Sequence, residues 1–287
     1  MSAQRCASIL QNYLRCKYMG KENSMLYAGV DIGSTTSKAA LVDEDGREVM
    51  FTTIMTEFNR NASGEKVLQD VLEKADASIE DVAYIVSTGY GRKAFERADK
   101  NIPEIIAHAV GTEYVYPGAR TIIDIGGQDS KVIELDAGGN VDKFGMNDKC
   151  AAGTGRFFEV LTHRLLGVEM EELSDLILKA TKPVEISSMC TIFAESEIIS
   201  HLSQNIPVED IAAGTGMSIA RRIIAQGKAA RISFLEPIVF SGGVANNKGI
   251  ERIFARLLEK EVHAIEKPQS TAALGAALRA RKEYQKA

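Results

Sequence analysis

The sequence is poor in several residue types, and each scarcity narrows what the protein can be. It has no tryptophan, six prolines and four cysteines in 287 residues. So few cysteines in a chain of this length, with no secretory signal segment, do not indicate a disulfide scaffold, and a reducing cytoplasm is the expected compartment. No apolar run approaches the about 20 residues of a membrane-spanning helix, so no membrane partner is expected. The net charge is only −5, with both signs interspersed, which argues against a nucleic-acid partner.

The sequence has enough hydrophobic residues to form a buried core. Hydrophobic residues make up 45% of the chain, which suits one large or two modest domains. Residues 1–24 differ from the rest because they carry four basic side chains against a single acidic one. We expect a disordered N-terminal extension here, with a docking tail as the alternative, and we treat its Cys6 and Cys16 as free thiols.

An eight-residue motif occurs twice in the chain. Asp31-Ile-Gly-Ser-Thr-Thr-Ser-Lys38 and Asp124-Ile-Gly-Gly-Gln-Asp-Ser-Lys131 share Asp, Ile, Gly, Ser and Lys in the same order and spacing. Each copy lies between two short apolar runs, which predicts two β-strands joined by a tight glycine-containing turn. The backbone N–H groups of such a turn suit a phosphate, and the Asp of each copy can hold a hydrated Mg²⁺. The pair predicts a nucleotide held from both sides.

The rest of the sequence alternates between strand and helix patterns with short links, so the fold class is α/β, built from two related halves. A loop at residues 87–92 follows a predicted strand, at the end where α/β folds place ligand-contacting loops. We predict strands at 48–53, 83–86 and 237–240, and helices at 63–75, 103–114, 155–166, 193–204, 208–226, 248–258 and from 271 onward.

A third glycine-rich turn, Ser241-Gly-Gly-Val-Ala-Asn-Asn247, lies between a predicted strand and a predicted helix. Bare Gly-Gly lets a flat base or ribose lie against the backbone, and the helix N-terminus adds positive potential. This turn follows the two predicted hairpins along the chain. The three elements in this order resemble the nucleotide-binding elements of the actin, sugar-kinase and Hsp70-type ATPase superfamily. The resemblance covers residues 25–287.

This resemblance implies two duplicated actin-like (ribonuclease H-like) ATPase domains with ATP in the cleft between them, and with Asp31 and Asp124 facing Mg²⁺ through water. The first domain is expected to comprise residues 25–115 and the C-terminal helix at 271–287, and the second residues 116–270. The residues expected to contact ATP are Gly33, Ser34, Thr35, Thr36, Lys38, Gly126, Gly127, Gln128, Gly242, Gly243, Ala245 and Asn246.

Two cysteines lie just before predicted helices, Cys150 ahead of Gly155 and Cys190 ahead of Phe193. Unpaired N–H groups and the positive dipole end of a helix favour a thiolate at such a position. Two thiolates are half of the Cys₄ set of a cubane iron–sulfur cluster, and a two-fold axis would supply the other half. Buried core cysteines, an intramolecular disulfide, and zinc shared with histidines remain alternatives at this point.

The segments around these cysteines resemble those of a known family. Asn147-Asp-Lys-Cys-Ala-Ala-Gly-Thr-Gly-Arg156 and Cys190-Thr-Ile-Phe-Ala-Glu-Ser-Glu197 are similar to the characteristic segments of the activators of 2-hydroxyacyl-CoA dehydratases, ATPases of the BadF/BadG/BcrA/BcrD type. The resemblance implies a homodimer with one [4Fe–4S] cluster bound by Cys150 and Cys190 of both copies. It also implies reduction by ferredoxin or flavodoxin, and ATP-driven transfer of one electron to a separate dehydratase.

Hydrolysis of ATP requires a water aligned with the γ-phosphate. Gln128 is the predicted residue for orienting it and Asp129 the second candidate, because both lie on the tip of the second hairpin. Lys38 and Lys131 are one step into a strand, from where either side chain can instead face solvent. The loop Thr88-Gly-Tyr-Gly-Arg92 is left without a role.

Three other functions fit parts of the sequence. A small-molecule kinase would use the same nucleotide elements, but it needs an acidic general base over a sugar pocket and neither cysteine. A non-catalytic assembly protein of actin or chaperone type would need a substrate domain. An ATPase subunit of a benzoyl-CoA reductase would share the cysteines.

Overall fold

The computed structural model describes residues 25–148, 150, 153–187 and 191–287. The predictions for the N-terminal extension, with Cys6 and Cys16, and for Cys190 lie outside these residues. Within the described ranges, no helix combines the length and the apolar character that crossing a membrane would require.

The first half of the chain is built on a five-stranded sheet with helices packed against it. Its central strand is buried along its whole length, which is why it forms a continuous apolar run rather than an alternating one. The strands are β1 (Leu26–Ile32), β2 (Thr36–Val42), β3 (Glu48–Met55), β4 (Val82–Thr88) and β5 (Lys100–Asn101), and they lie in the order β3-β2-β1-β4-β5. The helices are α1 (Arg60–Ala75), a 3₁₀ turn (Ile79–Asp81) and α2 (Glu104–Val115).

The second half repeats this sheet. Its strands are β6 (Thr121–Ile125), β7 (Ser130–Leu135), β8 (Val141–Asn147), β9 (Ile238–Ser241) and β10 (Val262–Ala264). They lie in the order β10-β9-β6-β7-β8, the same arrangement as in the first sheet. In each sheet the first strand pairs antiparallel with the second and parallel with the fourth. The predicted duplication therefore extends from the eight-residue motif to the topology of the whole sheet.

The helices of the second half cover that sheet and carry the end of the chain back to the first. They are α3 (Gly155–Glu159), which continues as a π-helical stretch (Val160–Leu166), then α4 (Met170–Lys179), α5 (Thr191–Ser203), α6 (Val208–Ala229), α7 (Lys248–Leu258) and α8 (Thr271–Tyr284). All predicted helices are confirmed, with ends shifted by up to three residues. For example, α1 begins at Arg60 and not at residue 63. Helix α4 and the short strands β5 and β10 were not predicted.

Helix α8 packs on the first sheet, and α2 lies between α8 and the second sheet. The small side chains of α8, such as Ala273 and Ala276, join one hydrophobic cluster with Tyr27 and Val86. Ile105 and Ala109 of α2 instead pack into a cluster of the second sheet. The helices α2 and α8 approach so closely that a Cβ atom on Gly275 would overlap the backbone of Ala107. The two sheets are therefore joined through a tight pair of helices, beside which the candidate site lies.

Candidate functional site

The two duplicated hairpins open onto one cavity of about 630 Å³. The β1–β2 hairpin, the β6–β7 hairpin and the turn after β9 all line it. Every residue predicted to contact ATP lines this cavity except Ala245, as do Asp31, Asp124 and Asp129. Ala245 is buried in the hydrophobic core of the second half, so its side chain packs rather than faces the cavity.

The two hairpins are built in the same way. The turn of the first is closed by the Gly33 N–H, which donates to the Thr36 carbonyl at 3.2 Å, and the turn of the second by the Gly126 N–H, which donates to the Asp129 carbonyl at 2.9 Å. In each hairpin the Asp lies opposite the Lys across the strand pair, and their N–O distance is 3.2 Å in both. The repeated sequence therefore produces a repeated local geometry.

The tips of the two hairpins lie next to each other. A Cβ atom on Gly127 would come within 2.5 Å of the Thr35 hydroxyl oxygen, so only a glycine fits at this position without a shift. Arg60 of α1 supports the first tip, with its guanidinium 3.4 Å from the carbonyl oxygens of Gly33 and Ser34. A phosphate bound at this point would contact backbone from both sheets.

The loop at Thr88–Arg92 and the turn at Ser241–Asn247 are a further duplicated pair. Thr88 pairs with Asp31 across parallel strands, and Ser241 pairs with Asp124 in the same way. Each is followed by a glycine with positive φ, 81° at Gly89 and 85° at Gly242, which places the backbone directly against the preceding hairpin. In both places a hydroxyl residue is followed by glycine, Thr88-Gly89 and Ser241-Gly242. This shared dipeptide is the sequence signal that could have identified the loop at Thr88–Arg92 as packing against the first hairpin.

Lys131 is buried at the centre of a carboxylate network and does not face solvent. Its ammonium lies 2.6 Å from Asp129, 3.2 Å from Asp124 and 3.7 Å from Glu104. Burial alone would lower the pKa of Lys131, but these carboxylates raise it well above its usual value. The alternative in which the lysine points at solvent is therefore wrong for Lys131, and it is also wrong for Lys38, which is bound to Asp31.

Asp124 is ionised in this network. Burial by itself would raise its pKa, but its electrostatic interactions with His108 and Lys131 lower it to about 2. Burial lowers the pKa of the His108 ring, and the nearby Asp124 carboxylate opposes this shift. The His108 Nδ1 atom lies 3.1 Å from the Thr271 hydroxyl and 3.7 Å from Asp124. This contact joins the start of α8 to the site.

Glu104 is a site residue that the sequence analysis missed. It lines the cavity beside Lys131, and burial raises its pKa to about 7 despite the opposing charge of Lys131. Glu104 and His108 lie one helical turn apart on α2, so they face the same side. A pair of polar residues at this spacing in the apolar first two turns of the helix is the signal that could have identified them.

The charges around the cavity fit a nucleotide that arrives with a divalent cation. Six carboxylates line the cavity against three cations. The Oδ2 atom of Asp124 is buried and has no hydrogen-bond partner within the part of the chain that the structure describes, so it can accept from a metal-bound water. No group of three or more His, Cys, Asp and Glu side chains forms a metal site in those residues. Mg²⁺ keeps several waters and needs only one or two carboxylates, so Asp31 and Asp124 together could hold it.

Cys150 lies between β8 and α3, and the segment that contains it borders the cavity. Its neighbour Asp148 lines the cavity, as does Gly155 at the start of α3. Cys150 is half-buried and forms no disulfide among the described residues. The N–H groups of Gly155 and Arg156 donate to the carbonyls of Gly126 and Gly127, both at 2.8 Å. These donors are therefore used by the hairpin tip and are not free for the Cys150 thiolate, contrary to the expectation from the sequence.

Comparison with known proteins gives consistent matches over nearly the whole chain. The profile of the BadF/BadG/BcrA/BcrD ATPase family matches residues 28–280. The chain is 44% identical to the activator of lactoyl-CoA dehydratase from Anaerotignum propionicum, over 91% of this chain and 100% of that protein.

Two solved structures are similar to the chain in fold and in sequence. The first is the activator of the 2-hydroxyisocaproyl-CoA dehydratase from Clostridium difficile with bound ADPNP, at a TM-score of 0.85 and 44% identity, covering 91% of this chain and 96% of that one. The second is component A of the (R)-2-hydroxyglutaryl-CoA dehydratase from Acidaminococcus fermentans, at a TM-score of 0.86 and 40% identity, covering 91% and 100%. The predicted fold class, with two duplicated actin-like units around a nucleotide cleft, is confirmed.

Proposed function

The chain belongs to the BadF/BadG/BcrA/BcrD ATPase family, and from that membership we propose that it is the ATP-dependent electron donor that activates a 2-hydroxyacyl-CoA dehydratase. The observation that carries this proposal is its similarity, over about nine-tenths of its length, to proteins named as such activators. Ferredoxin or flavodoxin is the proposed source of the electron. The chemistry needs a reducing compartment, and the cytoplasm is where we expect it to occur.

The proposed redox group is a [4Fe–4S] cluster between two copies of the chain. Cys150 is a half-buried free thiol close to the nucleotide cavity, which suits a ligand that has to respond to ATP. Cys190, the proposed second ligand, directly precedes α5 in the sequence. A cubane cluster needs four thiolates, and a two-fold axis supplies each cysteine twice. When bound, the cluster supplies the low-potential electron that the dehydratase requires.

ATP with Mg²⁺ is the proposed ligand of the cavity. Backbone N–H groups of the two hairpin tips would bind the phosphates, and Asp31 and Asp124 would hold the waters of Mg²⁺. Gln128 is exposed on the second tip, whereas the Asp129 carboxylate is bound to Lys131 at 2.6 Å. This difference supports Gln128 over Asp129 as the residue that orients the hydrolytic water.

ATP can change the conformation only through its different affinities for two states. A switch from 1:99 to 99:1 requires a difference of about 5.5 kcal/mol. Because one tip belongs to each sheet and the two tips contact one another, a γ-phosphate bound by both would fix the angle between the sheets. ADP lacks that phosphate, so we expect it to bind without producing the switch.

The kinase alternative receives less support. The relatives that are more than 40% identical and carry a functional name are all named as dehydratase activators. A kinase also gives no role to the segment that carries Cys150, although that segment is hydrogen-bonded to the nucleotide hairpin. Phosphorylation of a sugar by the purified protein would favour the kinase.

The experiment that tests the proposal is anaerobic purification with iron analysis and an absorption spectrum. The protein should be brown and contain about four irons per dimer. Cys150→Ser and Cys190→Ser should each lose the cluster, whereas Cys6→Ser and Cys16→Ser should keep it. A colourless dimer that still activates a dehydratase, or one complete cluster per monomer, would overturn the proposal.

A further inference from the structure

The segment that contains Cys150 is attached at both ends to the second nucleotide hairpin. At one end Asn147, the last residue of β8, pairs with Ser130, which directly follows the hairpin tip. At the other end the first two N–H groups of α3 donate to the carbonyls of Gly126 and Gly127 in the tip itself, both at 2.8 Å. A displacement of the tip therefore reaches this segment through two short routes.

The side chain of Asn147 binds both backbone polar groups of Cys150. Its Nδ2 atom donates to the Cys150 carbonyl at 2.7 Å, and its Oδ1 atom accepts from the Cys150 N–H at 3.2 Å. A side-chain amide carries an NH₂ donor group and a carbonyl acceptor side by side, so asparagine satisfies both backbone groups at once. Aspartate offers only the acceptor, and alanine offers neither.

A simpler role for Asn147 would be to close a turn, as asparagine often does by bonding backbone a few residues ahead. That role explains one hydrogen bond to an N–H group. It does not require both amide atoms to bind the same residue, which here is the free cysteine next to the cavity. It also does not require the asparagine to stand in the strand ladder directly beside the nucleotide hairpin.

We propose that Asn147 is a positioning residue that fixes Cys150 relative to the second nucleotide hairpin and so transmits the state of the nucleotide to the cysteine. This inference rests on the proposed function, because it assigns Cys150 as a ligand of the cluster. The backbone of Asn147 moves with β7 and the hairpin tip, and its side chain moves the backbone of Cys150. The thiolate is thereby held at a defined place in each nucleotide state.

The proposal makes Asn147 a partner that orients a metal ligand without binding the metal. Loss of such a partner weakens metal affinity by about 10-fold to 100-fold in characterised sites. We therefore expect Asn147→Ala to lose iron to a chelator about tenfold faster than the wild type, or more. Its cluster should also lose the difference between the spectra recorded with ATP and with ADP.

The test uses the full-length protein, purified anaerobically and reduced, with three variants. Asn147→Ala removes both hydrogen bonds, and Asn147→Asp keeps the shape and the acceptor but removes the donor. Asn140→Ala is the matched control, because Asn140 binds Asp136 in the turn at the far end of the β7–β8 hairpin. The measurements are iron loss to a chelator, the electron paramagnetic resonance spectrum with ATP, with ADP or without nucleotide, and the rate of ATP hydrolysis.

The expected result is that both Asn147 variants lose iron faster and respond less to ATP, while Asn140→Ala behaves like the wild type. If Asn147→Ala does not fold, Asn147→Asp decides the outcome. Wild-type iron retention together with a wild-type spectral response in Asn147→Asp would overturn the inference and leave the proposed function standing. A wild-type protein without any cluster would instead overturn the proposed function.

Discussion

Replacing Glu104 with glutamine should stabilise the protein above neutral pH. Glu104 is buried beside Lys131, and its pKa is raised from 4.5 to about 7. Between pH 4.5 and about pH 7 the folded chain holds a proton on Glu104 that the unfolded chain has released. The free energy of unfolding therefore falls as the pH rises through this range. Glutamine has nearly the same shape and never ionises, and it should remove this loss.

The magnitude follows from the size of the shift. The difference between 4.5 and about 7 corresponds to about 3 kcal/mol of lost stability once the group is ionised in both states, near pH 8. Near pH 5.5 most of the folded chains still carry the proton, and the corresponding loss is only about 1 kcal/mol. For a chain of 287 residues, about 3 kcal/mol corresponds to a rise in Tm of about 5 °C.

The assay is chemical denaturation of the wild type and of Glu104→Gln at several pH values, without nucleotide and at equal protein concentration. Glu113→Gln is the matched control, because Glu113 is a half-buried residue of the same helix that does not line the cavity and accepts a hydrogen bond from the Gly118 N–H. The control should change stability by less than about 0.5 kcal/mol. A Glu104→Gln variant that is equally or less stable at pH 8, or whose advantage does not shrink toward low pH, would refute the reasoning.

Three further predictions concern the nucleotide. Asp31→Ala and Asp124→Ala should each abolish Mg²⁺-dependent ATP hydrolysis while iron content and absorption stay unchanged, and normal hydrolysis in either variant would contradict the paired-hairpin site. Gln128→Ala should slow kcat by about tenfold or more with less than about a threefold change in ATP affinity, and an unchanged kcat would assign the water to another residue. Removing Mg²⁺ with EDTA should abolish ATP binding in a calorimeter, since six carboxylates line the cavity, and undiminished binding would show that the phosphates are neutralised by other groups.

The hairpins and the cavity that they line could be predicted from the sequence because each hairpin is determined by a short, continuous segment. The repeated motif determines the turn, the strand pairing and the face on which Asp31 and Asp124 lie, so the structure reproduces them residue by residue. Ala245 is the one residue of the predicted ATP set that does not line the cavity, because its methyl group packs into the core while the glycines before it face the cavity.

The electrostatic network could not be predicted from the sequence, because it depends on how a helix crosses a sheet. Glu104 and His108 belong to α2, far in sequence from Asp129 and Lys131, and only the packing of α2 brings them to the cavity. The position of Lys131 was uncertain for the same reason, since a strand residue shows which face it is on only when its neighbours are known. Helix α4 went unpredicted although it has an apolar face that includes the buried Leu173 and Ile177.

The most direct test of the account is the activation of a dehydratase. The reduced protein would be mixed anaerobically with a 2-hydroxyacyl-CoA dehydratase and its substrate, with ATP, with ADP or without nucleotide, and formation of the enoyl-CoA would be followed. The account predicts product only with ATP, at far less than one activator per dehydratase, because the transferred electron returns at the end of each dehydration and supports many turnovers. Equal product under all three conditions, or none under any, would contradict it.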